Sequence, residues 1–461
     1  MKNINIITDK LDRSVPPVPG LPKDVNFPSF YETVTSNGIT VLVIEDRRLP
    51  LVTARFVFKS GAYFDSLHGA DKSGLASVTS EMLSKGTALR SATKIAEETD
   101  FLGATLSTGA DFDASYVSCY SLTKHFDSIF EIATDVIRNP AFLDEELSRV
   151  KEQRLNSFLA LKDDGDYLAS RSYKTGVFGV NPLGNSVDGN ERSVSGLTAE
   201  DLIGFYRKHF TPDNLIVAFV GDISPETAVE KLEKSFADLK GEGFKMQNFP
   251  LPSLNDAKIL LTRKEGAVQS SLRVGHTSIC RNDPDFVNVS VMNTILGGYF
   301  TSRINRNLRE VHGFTYSARS ALSSHRFGGD LSVITEVKTD ITGDTIREIL
   351  KEMNILRDIA PDPEELQNVK NFISGNFPLQ LETPNSVATK AINLKLFGLP
   401  EDYYSTYIRK VNQLTREEIH ETAARYLHPD RLVMSIAGDV EAVSGLLAEF
   451  GEPEIIADNQ N

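Results

Sequence analysis

One phrase occurs twice in this chain. Leu197-Thr198-Ala199-Glu200-Asp201-Leu202, followed by Pro212-Asp213-Asn214-Leu215 and Gly221-Asp222, returns as Leu414-Thr415-Arg416-Glu417-Glu418-Ile419, Pro429-Asp430-Arg431-Leu432 and Gly438-Asp439, 217 residues later at every matched position. A register kept through a helix-like stretch, a turn and an apolar run means two copies of one domain rather than a short-period solenoid, whose repeats span roughly 20 to 50 residues. A second echo, Glu145-Glu146-Leu147 with Val150 and Lys151, recurs as Glu364-Glu365-Leu366 with Val369 and Lys370, 219 residues on. The two-residue difference fits a small loop change. Each copy, at about 220 residues, is long enough to bury a core of its own.

The charge balance narrows the classes of partner. Lys and Arg total 49 against 63 Asp and Glu, a formal net charge of -14. A surface this acidic repels phosphate backbones, which excludes nucleic acid as the expected partner. Cys119 and Cys280 are the only cysteines and fall in different copies, so there is no disulfide framework and no cysteine-rich metal site. Met1 to Arg13 lacks the apolar core of about 7 to 15 residues that a signal peptide needs, and no transmembrane run follows. The expected location is cytoplasmic, although a chain trimmed of its leader would read the same.

Pro16, Pro17, Pro19 and Pro22 stand in an aperiodic stretch, which predicts an extended arm over residues 1–30. Beyond it, Glu32 to Ser36 and Ile39 to Ile44 are strand-like runs joined by Asn37-Gly38, a strong hairpin signal, and Val52 to Phe58 supplies a third strand. Leu75, Val78, Met82 and Leu83 form an apolar stripe on a helix over Gly74 to Lys85, whose other face carries Ser77, Ser80, Glu81 and Ser84. A strand pair over Leu102 to Leu122 and helices over Lys124 to Arg138 and Glu145 to Leu161 follow. The aperiodic stretch 240–256, with Gly241, Gly243, Pro250 and Pro252, separates a first domain over 31–239 from a second over 257–461. The expected class is α+β: two homologous domains, each a mainly antiparallel sheet covered by helices on one face.

The residues Ser36-Asn37-Gly38-Ile39-Thr40-Val41, Gly74-Leu75-Ala76 with Met82-Leu83 and Lys85-Gly86-Thr87, and the paired Pro-Asp-x-Leu and Gly-Asp segments resemble those of the M16 metallopeptidases. That family takes in insulinase, pitrilysin, the mitochondrial processing peptidase and the core subunits of the cytochrome bc1 complex, and the likeness runs from Tyr31 to Phe450. Active members carry His-x-x-Glu-His directly after the Gly-Leu-Ala stretch, where this chain has Ser77-Val78-Thr79-Ser80-Glu81. Both imidazoles and the general base are gone, and the position of the family's third ligand, a glutamate, aligns with Ser157, beside Asn156. Neutral hydroxyls and amides do not replace the thiolate, imidazole or carboxylate that holds zinc. The eight histidines offer no short-range pair that would rebuild the site. The resemblance therefore implies degenerate zinc-site positions at Ser77, Ser80, Glu81 and Ser157, no metal bound by this chain, and no catalysis by the chain alone.

The second copy keeps more. The run from Arg303 to Ser317 resembles the family's Leu-Arg-Glu-x-x-Gly-x-x-Tyr-Ser block, and Arg309 and Tyr316 stand where related enzymes place an Arg/Tyr pair that faces the zinc. A guanidinium and a phenol can both donate to a peptide carbonyl and to the oxyanion that develops on it. Arg303, Arg306 and Arg309 at helical spacing would also suit a solvated basic face. Ser107-Thr108-Gly109, within Gly103 to Leu122, falls where the family places a peptide-binding edge strand.

The implied role is the zinc-free subunit of a heterodimeric M16-type peptidase. It would supply substrate-binding Arg309 and Tyr316 to a partner that carries an intact His-x-x-Glu-His motif and the zinc, with peptides as substrates. The alternative is a structural core-type subunit of a larger assembly. The processing peptidase's recognition subunit fits less well, because only Gly297-Gly298 stands where a long glycine-rich loop belongs.

Overall fold

The computed structural model describes Ser14, residues 25–241 and residues 243–457. Pro16, Pro17, Pro19 and Pro22 of the expected arm lie outside the described residues. Its final part is packed: Val25, Phe27 and Phe30 lie on a cluster of the second half, with the Phe27 and Tyr404 rings 5.2 Å apart.

The first half contributes β1 (Tyr31–Val34), β2 (Thr40–Glu45), β3 (Leu51–Phe58), β4 (Thr105–Ala110), β5 (Ser115–Leu122) and β6 (Leu215–Gly221), in the sheet order β1-β2-β6-β3-β5-β4. The second contributes β7 (Lys258–Arg263), β8 (Gln269–Ser278), β9 (Ala318–Ser324), β10 (Gly329–Lys338), β11 (Val433–Gly438) and β12 (Glu454–Ile456), in the order β12-β7-β11-β8-β10-β9. From the second position inward the sheets follow one plan. In each, an apolar strand buried at every residue, β6 or β11, runs parallel to β2 or β7 and antiparallel to β3 or β8. Such a strand is buried on both faces, which is why its sequence reads as a continuous apolar run. The outermost place differs, since β1 is one arm of the Asn37-Gly38 hairpin and antiparallel, whereas β12 comes from the far end of the chain and is parallel.

The repeated phrase is repeated structure. Thr198 and Asp201 form a capping box on the Ala199–His209 helix, as Thr415 and Glu418 do on Arg416–Tyr426. Lys151 Nζ donates to the Leu197 carbonyl at 2.8 Å, and Lys370 Nζ donates to the Leu414 carbonyl at 2.6 Å. The two sequence echoes are thus joined by one hydrogen bond in each half.

Each sheet bears its own half's helices on one face, where Val41, Val43, Val52, Phe56 and Phe58 meet Phe130 and Phe236. The opposite face is covered by a helix from the other half. Leu42, Ile44, Ile216, Ala218 and Val220 pack against Val387, Ala388, Ala391 and Ile392 of the Pro384–Leu396 helix. Reciprocally, the Gly165–Phe178 helix lies on β8 and β11, where Ser435 Oγ donates to the Ala169 carbonyl at 2.8 Å. A Cβ on Gly176 would come within 2.6 Å of Leu260 Cδ1 and 2.8 Å of Val433 Cγ1, so a side chain there would make those two residues shift. The exchange buries apolar side chains worth roughly 1.5–3 kcal/mol each and locks the two halves together. No helix among the described residues is long and apolar enough to cross a membrane.

Candidate functional site

The degenerate zinc positions begin on the Leu75–Met82 helix, which packs against β4 at the sheet edge. Its N-terminus is fixed by Asp65, whose carboxylate accepts from the Gly74 and Ala76 amides at 2.8 Å each. Burial pushes the Asp65 carboxyl up, and the amides of Ala76, Gly74 and Leu75 pull the other way. Gly74 has φ +91, and a Cβ there would sit 2.8 Å from the Asp188 carbonyl oxygen, so the helix start and the 188–189 loop touch through a residue without a side chain.

Beside that loop stands a residue that the sequence pattern did not single out. Arg154, on the Asp144–Leu161 helix, donates from Nη2 to Glu81 Oε2 at 2.8 Å and to Ser77 Oγ at 3.0 Å, and from Nη1 to the Asp188 carbonyl at 3.3 Å. The Asp188 carboxylate adds an ion pair at 3.6 Å and accepts from Ser77 Oγ at 3.2 Å. Lys85 approaches the other Glu81 oxygen at 3.7 Å. The guanidinium is 15% exposed on its side chain and gathers polar groups from two segments, the Leu75–Met82 helix and the 188–189 loop. Ser80 Oγ is buried without a partner, and Ser157 is exposed, donating to the Gln153 carbonyl of its own helix at 3.0 Å.

These residues do not fit a zinc ion. The one acid among the four degenerate positions is committed to a permanently charged guanidinium, no imidazole is present, and the serine at the third-ligand position faces solvent. Among the described residues no group of three or more His, Cys, Asp and Glu stands where it could hold a metal. Folding does pair two histidines far apart in the chain: His68 Nε2 and His209 Nε2 are 3.0 Å apart, with Phe64 and Phe205 around them. The pair lies 141 residues apart in the chain and has no short-range spacing.

Arg309 and Tyr316 meet in the second half. Arg309 lies in a π-helix over Arg306–Val311, an uncommon element that recurs at functional sites. Asn307 anchors it by donating to Glu348 and Glu352 at 2.9 and 2.7 Å. Asn305 Oδ1 accepts from the Ala318 amide at 3.0 Å, which brings the start of β9 back beside the helix. The Arg309 guanidinium then lies 5.2 Å from the centre of the Tyr316 ring and 4.6 Å from that of Phe300. Tyr316 is 87% and Phe300 64% exposed, and no acid pairs with Arg309 among the described residues. The basic face is not uniform, because Arg303 is paired with Glu365 through two bonds of 2.7 Å. Phe300 follows Gly297-Gly298-Tyr299, a stretch without periodicity that gives the sequence no sign of its role.

Comparison with known proteins gives the family and the fold. Residues 40–189 match the family model described as insulinase (peptidase family M16), and residues 196–373 match that of the peptidase M16 inactive domain. A protein of Helicobacter pylori named non-peptidase homolog YmxG is 24% identical over 415 residues, covering 89% of this chain and 94% of its own. A Bacillus subtilis protein named uncharacterized zinc protease YmxG is 24% identical over 360 residues, 77% of this chain and 86% of its own. Among solved structures, a peptidase M16 inactive domain from Pseudomonas fluorescens aligns with TM-score 0.83 at 26% identity, covering 89% of this chain and 98% of that one.

Proposed function

We propose, from the premise that this chain belongs to peptidase family M16, that it is the zinc-free subunit of a two-chain peptidase and lends substrate-binding groups to a zinc-bearing relative. The observation that carries this reading is the contrast between its two arginines. Arg154 is spent on Glu81, Ser77 and Asp188, where a metal would otherwise be wanted, while Arg309 keeps its N–H donors free between two exposed rings. A chain with only a scaffolding role has no need of a half-buried, unpaired guanidinium held in one place by aromatic faces.

In this reading the hydrolytic chemistry belongs to the partner. Arg309 and Tyr316 bind the peptide carbonyl, and both strengthen their hydrogen bonds as negative charge develops on its oxygen. Aromatic packing limits the rotamers of Arg309, so less side-chain entropy is lost when the peptide arrives. The edge strand β4, unpaired on one side, can align an extended peptide through backbone hydrogen bonds. The relative named a non-peptidase homolog supports the loss of independent activity.

Purified chain and a family partner with an intact His-x-x-Glu-His motif test the proposal when assayed apart and together on a quenched fluorescent peptide. The expected result is no hydrolysis by this chain, and activity in the mixture well above that of the partner alone. Chelator-sensitive hydrolysis by the lone chain, or a partner whose rate ignores this chain, overturns it.

A further inference from the structure

A cavity of about 190 Å³ lies away from both sites, behind the exchanged Pro384–Leu396 helix. Two cations, Arg281 and Lys390, line it together with Phe286, Phe377, Tyr403 and Tyr404. We propose that it is a binding site for a small ligand made of one apolar ring and one anionic group, an aryl carboxylate being the type.

The walls and the charges each specify half of that ligand. The Arg281 guanidinium lies 4.0 Å from the centre of the Phe286 ring and 4.8 Å from that of Tyr403, and spends one N–H on the Tyr403 hydroxyl at 3.1 Å. Lys390 Nζ lies 5.6 Å from the Phe377 ring and 5.1 Å from Tyr404, with the Gln380 amide oxygen its hydrogen-bond partner at 2.9 Å. Neither cation has an ion pair, and no carboxylate lines the cavity. Two half-buried like charges face this space with no acid on its wall, since the acids Asp283 and Glu418 line the next cleft beside Arg281. An anion here relieves their repulsion. Burial and the Arg281 charge both press the Lys390 ammonium below the ordinary lysine range, as that arrangement requires. The volume equals about six waters at about 30 Å³ each, room for one ring and its acid group but not for a nucleotide.

The site has a structural consequence. Lys390 leaves the helix whose Val387, Ala388, Ala391 and Ile392 cover the first sheet, so a ligand held by Lys390 and Arg281 braces the joint between the halves. Titration of the full chain with 4-fluorophenylacetate, followed by fluorine NMR, is expected to show saturable sub-millimolar binding and a rise in Tm, with the neutral 4-fluorophenylacetamide at least tenfold weaker. Inorganic phosphate is expected to compete poorly. Lys390→Met, which keeps the apolar stem over both rings, is expected to weaken the acid about tenfold with an unchanged free-protein Tm, and Arg281→Gln provides a second removal of charge. Equal binding of acid and amide, phosphate as effective as the aryl acid, or no saturable binding overturns the proposal.

Discussion

Arg154 and Arg309 are the same side chain in opposite circumstances. The first is enclosed, with Glu81, Ser77 and Asp188 within hydrogen-bond or ion-pair reach, while the second is framed by Phe300 and Tyr316 and bonded to nothing charged. A buried or half-buried charge whose partners are complete holds structure together, and one whose donors are left open is available to a ligand. The comparison separates what this chain has converted into scaffold from what it still offers. On the proposed reading, a fixed organic cation balances the acid at the degenerate zinc positions, so no metal is needed there to offset its charge.

The sharpest way to break the comparison is to delete each arginine and ask which property falls. In the complex, Arg309→Ala is expected to cut kcat/KM by about 10²- to 10³-fold, the usual cost of one oxyanion donor, with an unchanged urea midpoint for the free chain. Tyr316→Phe, which keeps the ring under the guanidinium but removes the hydroxyl, is expected to lose activity in the same direction with a smaller factor. Steady-state kinetics beside equilibrium unfolding separates the outcomes, and a stability loss without a rate loss would reverse the assignment.

Arg154→Met is expected to do the opposite. It leaves Glu81 with Lys85 alone at 3.7 Å and Asp188 without its ion pair, and the Glu81 side chain is 29% exposed, so water offsets part of the penalty. A loss of about 1–3 kcal/mol in a urea titration is expected, below the full cost of breaking a buried pair. Activity of the complex should survive wherever the variant is folded.

Much of this was legible before the structure, for reasons that differ by element. The duplication was readable because a capping box, a Pro-Asp turn and a doubly buried strand each need particular residues at fixed spacing. Thr198 with Asp201 and Thr415 with Glu418 meet that need in both halves. Arg309 and Tyr316 are picked out by their place in the family block, whereas the Asn305 bond to the Ala318 amide that brings them together has no local signature. The exchanged helices were not legible, since the apolar stripe of Pro384–Leu396 says that a face is buried but not against which sheet. Arg154 was hidden for a related reason: a charged residue on an amphipathic helix reads as solvated until tertiary structure brings Glu81 and Asp188 to it. The His68–His209 contact spans 141 residues and leaves no local trace.

That histidine pair supplies a smaller test on the first half alone. Burial, with the neighbouring charges of His68 and Lys208, pushes His209 down to about 3 from an ordinary histidine value near 6.5. The folded chain therefore holds His209 neutral where the unfolded chain takes up a proton, and the stability present above pH 6.5 is lost as pH falls toward 3. Between pH 6.5 and 5.5 the loss from this group is about 1 kcal/mol, at 1.36 kcal/mol per pKa unit. Urea midpoints across that range should flatten in His209→Phe, which fits among Phe64 and Phe205, and an unchanged slope would remove the pair from the account.

The smallest expected effect tests the first site most directly. Ser157 stands at the family's third-ligand position but bonds to its own helix, so Ser157→Ala should change stability by less than about 0.5 kcal/mol. Ser157→Glu restores the carboxylate of the intact motif three residues from Arg154, a spacing that lets the new acid reach the same guanidinium. The expected outcome is a gain of a few tenths of a kcal/mol and no zinc uptake by calorimetry, because every acid within reach is then paired with Arg154 and no imidazole is supplied. If zinc instead raised the Tm of Ser157→Glu and not that of the natural chain, the acids would be releasing Arg154 to take a metal. The enclosed arginine would then be a displaceable guest like any ligand of Arg309, and the distinction between the two sites would fall.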